Sequence, residues 1–192
     1  MTANLICGLD EAGRGPLAGP VTAAAVVLPD DFPVELLDDS KKLNEKRRET
    51  AMVAIYEFSL AWGIGWASAA EIDSINILQA SLLAMRRAFA YIHVPVSEAI
   101  VDGLHSPGLP VPTRALPRAD ATFPSVMAAS ILAKTARDRM MIRWSWIYPE
   151  YAYEKHKGYP TRDHLSRIAL HGPSPLQRET FKVKRPLQLE LY

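Results

Sequence analysis

The stretch Leu5-Ile-Cys-Gly-Leu-Asp-Glu-Ala-Gly-Arg-Gly-Pro-Leu-Ala-Gly-Pro20 constrains this chain more than any other. An apolar run of strand length stops at two adjacent carboxylates, Asp10 and Glu11. A loop with three glycines, two prolines and one arginine follows, and a second apolar run begins at Val21. A buried strand of this kind delivers Asp10 and Glu11 to the edge of a sheet. Gly13, Gly15 and Gly19 leave the loop's backbone N–H groups open to close approach by a partner. Carboxylates beside an arginine-bearing glycine loop suit a metal ion together with a phosphate. A surface turn with a solvated acidic pair fits the same residues, and this stretch alone does not choose between the two.

The chain has 192 residues, enough for one domain with a substantial core, and its 48% hydrophobic and 22% charged residues are globular values. No apolar run is long enough to span a bilayer, and the N-terminus shows no charged-then-apolar signal pattern. Cys7 is the one cysteine. It has no partner for a disulfide or a cysteine-ligated zinc site, and a reducing cytoplasm fits. The net charge of +1 says nothing for nucleic acid. Local basic clusters at Lys41, Lys42, Lys46, Arg47 and Arg48, and at Lys182, Lys184 and Arg185, permit phosphate binding without demanding it.

Val21 to Leu28 reads as a second strand, antiparallel to the first across the glycine loop. Asn44 is placed to cap a helix running to about Phe58, with Met52 and Ile55 inward. Leu60 to Ala67 reads as a third strand. Ser68 and Glu71 have capping-box spacing for a short helical turn, and Ile75, Leu78, Leu82, Met85, Phe89 and Ile92 mark a helix with one buried stripe. Ala99 to Val101 is a short buried strand stopping at Asp102, and the proline-rich 107–117 stretch is a loop or a sheet edge. Pro124 and Ser125 start a long helix to about Trp146, Thr161 caps another ending near His171 and Gly172, and a short helix and tail close the chain. Strands followed by alternating helices and strands predict an α/β fold, one mixed sheet flanked by helices in a single domain, with a core over about 1–172 and an appendage over about 173–192.

If the strands ending at Asp10 and Asp102 lie parallel and adjacent, their aspartates meet at one sheet edge, joined by Glu11 and by Asp120 from the lead-in to the long helix. Four converging carboxylates repel one another unless divalent cations neutralise them, and oxygen ligands select hard ions such as Mg²⁺ or Mn²⁺. Two such ions, about 3.5–4 Å apart, can clamp the attacking water and the leaving oxygen of a phosphoryl displacement. Scattered carboxylates that cap helices or face solvent remain the alternative.

Asp10-Glu-Ala-Gly-Arg-Gly-Pro-Leu-Ala-Gly19, Asp39-Ser-Lys-Lys-Leu43, Val101-Asp-Gly103, Ser125-Val-Met-Ala-Ala-Ser-Ile-Leu-Ala-Lys134, Arg137-Asp138 and His156-Lys-Gly-Tyr-Pro-Thr161 resemble, in order, the motifs of bacterial ribonuclease HII. The resemblance implies a ribonuclease H-like fold and cleavage of the RNA strand in RNA/DNA hybrids. It also implies incision 5′ of single ribonucleotides embedded in duplex DNA, leaving 3′-hydroxyl and 5′-phosphate ends, as in ribonucleotide excision repair. The family's metal-binding carboxylates fall on Asp10, Glu11, Asp102 and Asp120, with Mg²⁺ or Mn²⁺ as cofactor. Ala119 stands where the family usually has glycine, Leu104 where asparagine is common, and Met127 where alanine is usual.

Substrate-reading residues follow from both lines. The 2′-OH of ribose donates and accepts hydrogen bonds, and backbone flanked by Gly13 and Gly15 can approach it while Arg14 holds the adjacent phosphate. In the resembling family the tyrosine matching Tyr159 packs on the sugar following the ribonucleotide. Lys41, Lys42 and Lys157 are candidate phosphate contacts, with Lys42 foremost, and Ser125 opens a helix whose N-terminus favours phosphate. His156, His164 and His171 read as structural or surface residues. The terminal Gln188, Leu189, Leu191 and Tyr192 are similar to the peptide by which bacterial repair proteins dock on the sliding clamp, although they equally suit packing onto the domain. The expectation is a cytoplasmic monomer with no membrane partner. The rival readings are a two-metal DNA nuclease or resolvase and a catalytically impaired hybrid-binding module.

Overall fold

The structure, a computed structural model, describes residues 5–37 and 44–182. They fold around one five-stranded sheet. Its strands are β1 (Ile6–Ala12), β2 (Val21–Val27), β3 (Ala61–Ala67), β4 (Glu98–Asp102) and β5 (Thr113–Leu116), in spatial order β3-β2-β1-β4-β5. The first three strands are antiparallel neighbours, whereas β1–β4 and β4–β5 are parallel. The short β5 lies at the sheet edge inside the proline-rich stretch, where proline costs the ladder least.

Helices cover both faces of the sheet. Every residue of β2 is buried: Val21, Ala23, Ala25 and Val27 join one core cluster, and Ala24 and Val26 join the other. The first cluster includes Leu82, Ala84, Met85 and Ala88 of α2 (Ala69–Phe89). The second includes Met52 and Ile55 of α1 (Glu45–Phe58) and Ala128, Ala129, Ile131 and Leu132 of α3 (Pro124–Ile147). Small residues on the strands let the helices come close. On β3 a Cβ at Gly63 or Gly65 would run into the carbonyl oxygens of Ala88 and Ala84.

The caps expected from sequence form. The Asn44 side chain accepts the Arg47 N–H at 2.9 Å, and Ser68 and Glu71 close a capping box at the head of α2. As expected, the helical turn opened at Ser68 and the helix with the buried stripe are two segments, and they meet in a kink at Asn76, whose φ is 65°. The Asn76 side chain accepts the Gln79 N–H at 3.1 Å and restarts the helix, leaving Ile75 exposed outside the stripe. No helix among the described residues is long and apolar enough to cross a membrane.

The largest departure lies beyond α5 (Arg162–His171), where the expected short helix does not form through Lys182. Residues 174–182 instead make a non-helical strap of two turns around one bridge residue. Gln177 bridges to Ala18, the Gly19 N–H donates to the Leu176 carbonyl, and the Arg178 N–H donates to the Leu17 carbonyl, the last two at 2.8 Å. On its other side Asp73 of α2 accepts the Glu179 and Thr180 N–H groups at 2.9 and 3.0 Å and the Thr180 hydroxyl.

The start of α3 sits directly on β1, because a Cβ at Gly8 would overlap the backbone of Ser125 and Val126. Gly8→Ala is therefore expected to destabilise the protein by about 1–3 kcal/mol, since backbone rather than a flexible side chain blocks the methyl group. A thermal or denaturant melt reads this, and an unchanged midpoint contradicts such close packing.

Candidate active site

The parallel ladder runs Ile6↔Glu98, Cys7↔Ala99, Gly8↔Ile100 and Leu9↔Val101. The next residues in this register are Asp10 and Asp102, and side chains in register leave a sheet on the same face. Asp120 comes from a 3₁₀ turn, Ala119–Ala121, between β5 and α3. That turn is tied to the strand, because Asp102 Oδ1 accepts the Ala119 N–H at 2.8 Å. One carboxylate oxygen from each of Asp10, Asp102 and Asp120 lies within 4.8 Å of the others. Ala119 is 2% exposed, packs with Ile100 and Val126, and has no left-handed backbone; the left-handed residue is Arg118 (φ 59°). An alanine at 119 thus aims Asp120 without strain. Leu104 points to solvent, and Met127 finds room against the core under α3.

Glu11 lines the same cleft but stands apart from these three. β1 does not end at the carboxylates; it continues to Ala12, with Asp10 opposite Ala24 and Glu11 opposite Ala23. Strand alternation therefore turns Glu11 away from Asp10. Its carboxylate meets Arg14 Nη1 at 3.3 Å.

Asp10 is 6% exposed. Burial pushes its carboxyl well above the usual range, the charges of Glu11 and Asp102 push it further, and hydrogen bonds from the Ser130 hydroxyl and the Glu11 N–H oppose the rise. Glu11 is also raised by burial, with Arg14 acting against it. Two like charges about 5 Å apart repel by about 3 kcal/mol at an effective dielectric of ~20. Oxygen-only donors in a part-buried carboxylate cluster fit a hard divalent cation.

The cleft encloses about 420 Å³ and continues from the carboxylates over Gly13, Arg14 and Gly15 to Lys134 and Tyr159. Tyr159 is 40% exposed, and a Cβ at Gly15 would lie 3.7 Å from its ring. Lys134 pairs with Asp138 at 2.8 Å. Lys157 faces a neighbouring groove with Arg48, Thr135, Asp138 and Arg139. Ser125 is buried at the start of α3 and does not line the cleft. Lys41 and Lys42, and the terminal Gln188, Leu189, Leu191 and Tyr192, lie outside the described residues.

Two buried arginines shape the glycine loop from behind. Arg137 of α3 donates to the carbonyls of Ala18, Pro20 and Lys157 at 3.0–3.1 Å. Arg178 of the strap donates to those of Gly13, Arg14 and Gly19 at 2.6–3.0 Å. Burial and the neighbouring Arg137 bring the Arg178 guanidinium down to about 9, so it stays charged at neutral pH. Arg137 was legible only as part of a motif, and Arg178 gave no signal at all. An arginine that binds main-chain carbonyls has no partner side chain to mark it.

The chain matches the family model described as Ribonuclease HII over residues 7–184. It is 55% identical to the ribonuclease HII of Treponema denticola, covering 94% of this chain and 99% of that protein. It is 50% identical to that of Nitrosospira multiformis, covering 95% and 92%. This chain belongs to the ribonuclease HII family. Its fold matches the crystal structure of the ribonuclease H2 from Pyrococcus horikoshii OT3 at a TM-score of 0.74 and 25% identity, over 93% of this chain and 94% of that one. It also matches the PCNA:RNase HII complex structure from Archaeoglobus fulgidus at 0.72 and 25%, over 94% and 96%. A ribonuclease HII is a ribonuclease H-type nuclease, which sets aside the impaired hybrid-binding module and the DNA resolvase.

His156 and His164 lie behind Tyr159 rather than in the cleft, and His171 packs edge-on to Tyr151. His156 and His164 stack with ring centroids 4.3 Å apart. His156 Nε2 meets the Tyr151 carbonyl, its Nδ1 accepts the Gly158 N–H, and His164 Nδ1 meets the Tyr159 carbonyl. Burial and the adjacent His156 hold His164 down at about 4. An unfolded histidine titrates near 6.5, so between about pH 6.5 and 4 the unfolded chain binds more protons and stability falls as the pH drops. The melting temperature should fall by on the order of 5 °C from pH 7.5 to pH 5. His164→Phe should flatten that slope, whereas an equal slope in the variant contradicts the assignment.

Proposed function

We propose that the cleft binds a duplex with a ribonucleotide's sugar on Gly13, Arg14 and Gly15 and its 3′-side neighbour against Tyr159, and that Asp10, Glu11, Asp102 and Asp120 hold Mg²⁺ or Mn²⁺ at the scissile phosphate. The observation that carries this reading is the convergence of Asp10, Asp102 and Asp120, from three separate elements, within 4.8 Å beside a glycine loop that shares their cleft. The enzyme cuts the RNA strand of RNA/DNA hybrids and incises 5′ of single ribonucleotides in DNA, leaving 3′-hydroxyl and 5′-phosphate ends. When bound, divalent ions supply Lewis-acid chemistry, activating water and stabilising the departing 3′ oxygen.

The chain's own groups do the positioning. Ser130 and the Glu11 N–H fix the orientation of the Asp10 carboxylate, and the Ala119 N–H fixes that of Asp102. Glu11 is available to swing from Arg14, which frees the guanidinium for a phosphate. The Tyr159 ring presents its face to a sugar; an extra 2′-OH at that position crowds the ring, which favours an RNA-to-DNA junction. Lys42 and Lys157 add backbone phosphate contacts. We place the enzyme in the cytoplasm as a monomer acting in ribonucleotide excision repair. The Gln188, Leu189, Leu191 and Tyr192 tail docks on a sliding clamp, a reading supported by the clamp complex of the Archaeoglobus relative.

The test is incision of a duplex carrying one embedded ribonucleotide beside an all-DNA control, with and without Mg²⁺. Only the ribonucleotide strand should be cut, and only with the ion. Asp10→Asn or Asp102→Asn should lose at least about 100-fold in turnover, equivalent to about 3 kcal/mol, while hybrid binding stays within about threefold. Near-wild-type turnover in either variant, in both metals, overturns the metal assignment.

Tyr159→Ala should lower single-ribonucleotide incision several-fold more than cleavage of long hybrids. Equal losses on the two substrates would make Tyr159 structural.

A further inference from the structure

Arg178 lies outside the cleft, fully buried, and comes from the strap rather than from an element that carries Asp10, Glu11, Asp102 or Asp120. Its guanidinium donates to Gly13 O at 2.6 Å, Arg14 O at 3.0 Å and Gly19 O at 2.9 Å. Three carbonyls on one rigid fork fix the planes of three peptide units at once.

A trans peptide unit is planar, with its C=O and N–H pointing in opposite directions. Drawing the Gly13 carbonyl back onto Arg178 therefore turns the Arg14 N–H the other way. Drawing back the Arg14 carbonyl does the same for the Gly15 N–H. Gly13, Arg14 and Gly15 all line the cleft, so the side opposite the buried guanidinium is the cleft side. Neither the Arg14 nor the Gly15 N–H has a backbone acceptor among the described residues. Gly13 reaches this geometry with φ +96°, a conformation that side chains rarely adopt.

The strap is itself held from outside. Asp73 accepts two backbone N–H groups and the Thr180 hydroxyl just past Arg178, and the Arg178 guanidinium lies 4.9 Å from the Phe181 ring centroid. The connection runs from a carboxylate on α2, through the strap, to the backbone of the glycine loop.

We propose that Arg178, pinned through the strap by Asp73, is a positioning residue that aims the Arg14 and Gly15 N–H groups into the cleft as the donors that meet the ribose 2′-OH and its phosphate. This rests on the reading of Gly13 to Gly15 as the sugar-contacting loop and adds what sets the direction of its donors. Arginine is required because a lysine ammonium cannot span three carbonyls in one plane.

The test compares wild type, Arg178→Met, Arg178→Lys and Asp73→Asn. Each is assayed for kcat on a duplex with one embedded ribonucleotide, for Kd on an all-DNA duplex, for melting temperature, and for the Arg14 and Gly15 amide cross-peaks in a ¹H–¹⁵N spectrum without substrate. Arg178→Met should lose at least tenfold in kcat, keep the all-DNA Kd within about twofold, and shift both amide peaks. Arg178→Lys should fall between it and wild type, and Asp73→Asn should lose about threefold with the same signature. A folded Arg178→Met with wild-type kcat and unmoved amides overturns the proposal, as does a loss shared equally by the all-DNA Kd. If Arg178→Met does not fold, Asp73→Asn decides, and wild-type kcat there overturns it. If wild type itself cuts both duplexes alike, the ribonucleotide reading fails, whereas amide shifts in Arg178→Met without a kcat effect mean that the loop is aimed but not used for the sugar.

Discussion

The parallel pairing of β1 with β4 is the constraint on which the site depends. It sets Asp10 and Asp102 side by side by register alone, at the point where the ladder of Ile6 to Leu9 against Glu98 to Val101 runs out. Everything else near the cluster accommodates that juxtaposition. The Ala119 N–H ties Asp102 to the turn that brings Asp120, and α3 closes over β1 tightly enough that Gly8 has no room for a side chain. Burial under α3 raises the Asp10 carboxyl and makes a cation the natural complement of the cluster. Crowded carboxylates around the buried Asp10 oppose folding until something neutralises them.

A second constraint is the accounting of backbone carbonyls in the glycine loop. A loop with outward-facing N–H groups must turn its carbonyls inward, where water cannot reach them, and buried carbonyls need donors. Arg137 and Arg178 supply them, one from α3 and one from the strap, for Gly13, Arg14, Ala18, Gly19, Pro20 and Lys157. The Leu17 N–H donating to Gly158 O joins this loop to the one that presents Tyr159. The histidine pair then braces Tyr159 from its far side through the Tyr159 carbonyl. The two surfaces facing the cleft are thus one hydrogen-bonded body.

Much of this was legible in the residues. Alternation and caps gave β1 to β3, α1 and α2, and two strands ending in aspartates gave the site's location. What stayed hidden has physical reasons. Glu11 sits beside Asp10 in sequence, yet strand alternation separates them once β1 is seen to run to Ala12. The strap reads as a short helix and tail because Leu176 and Phe181 are its two apolar anchors, and the rest of its hold, backbone bonds to Leu17 and Gly19 and the contacts of Asp73, leaves no periodic pattern. Ser125 has the right position at a helix start, but its own backbone is consumed in packing on Gly8.

The convergence of Asp10, Asp102 and Asp120 suits them to hold a divalent cation. Mn²⁺ makes this directly measurable, because the free ion gives a sharp electron paramagnetic resonance spectrum that broadens away on binding. Titrating Mn²⁺ into wild type and into Asp102→Asn, both checked for an intact melt, counts the bound ion without any substrate. Saturable loss of the free signal is expected in wild type, with at least tenfold weaker binding in Asp102→Asn. Equal binding in the two proteins, or none in wild type across millimolar Mn²⁺, would contradict it.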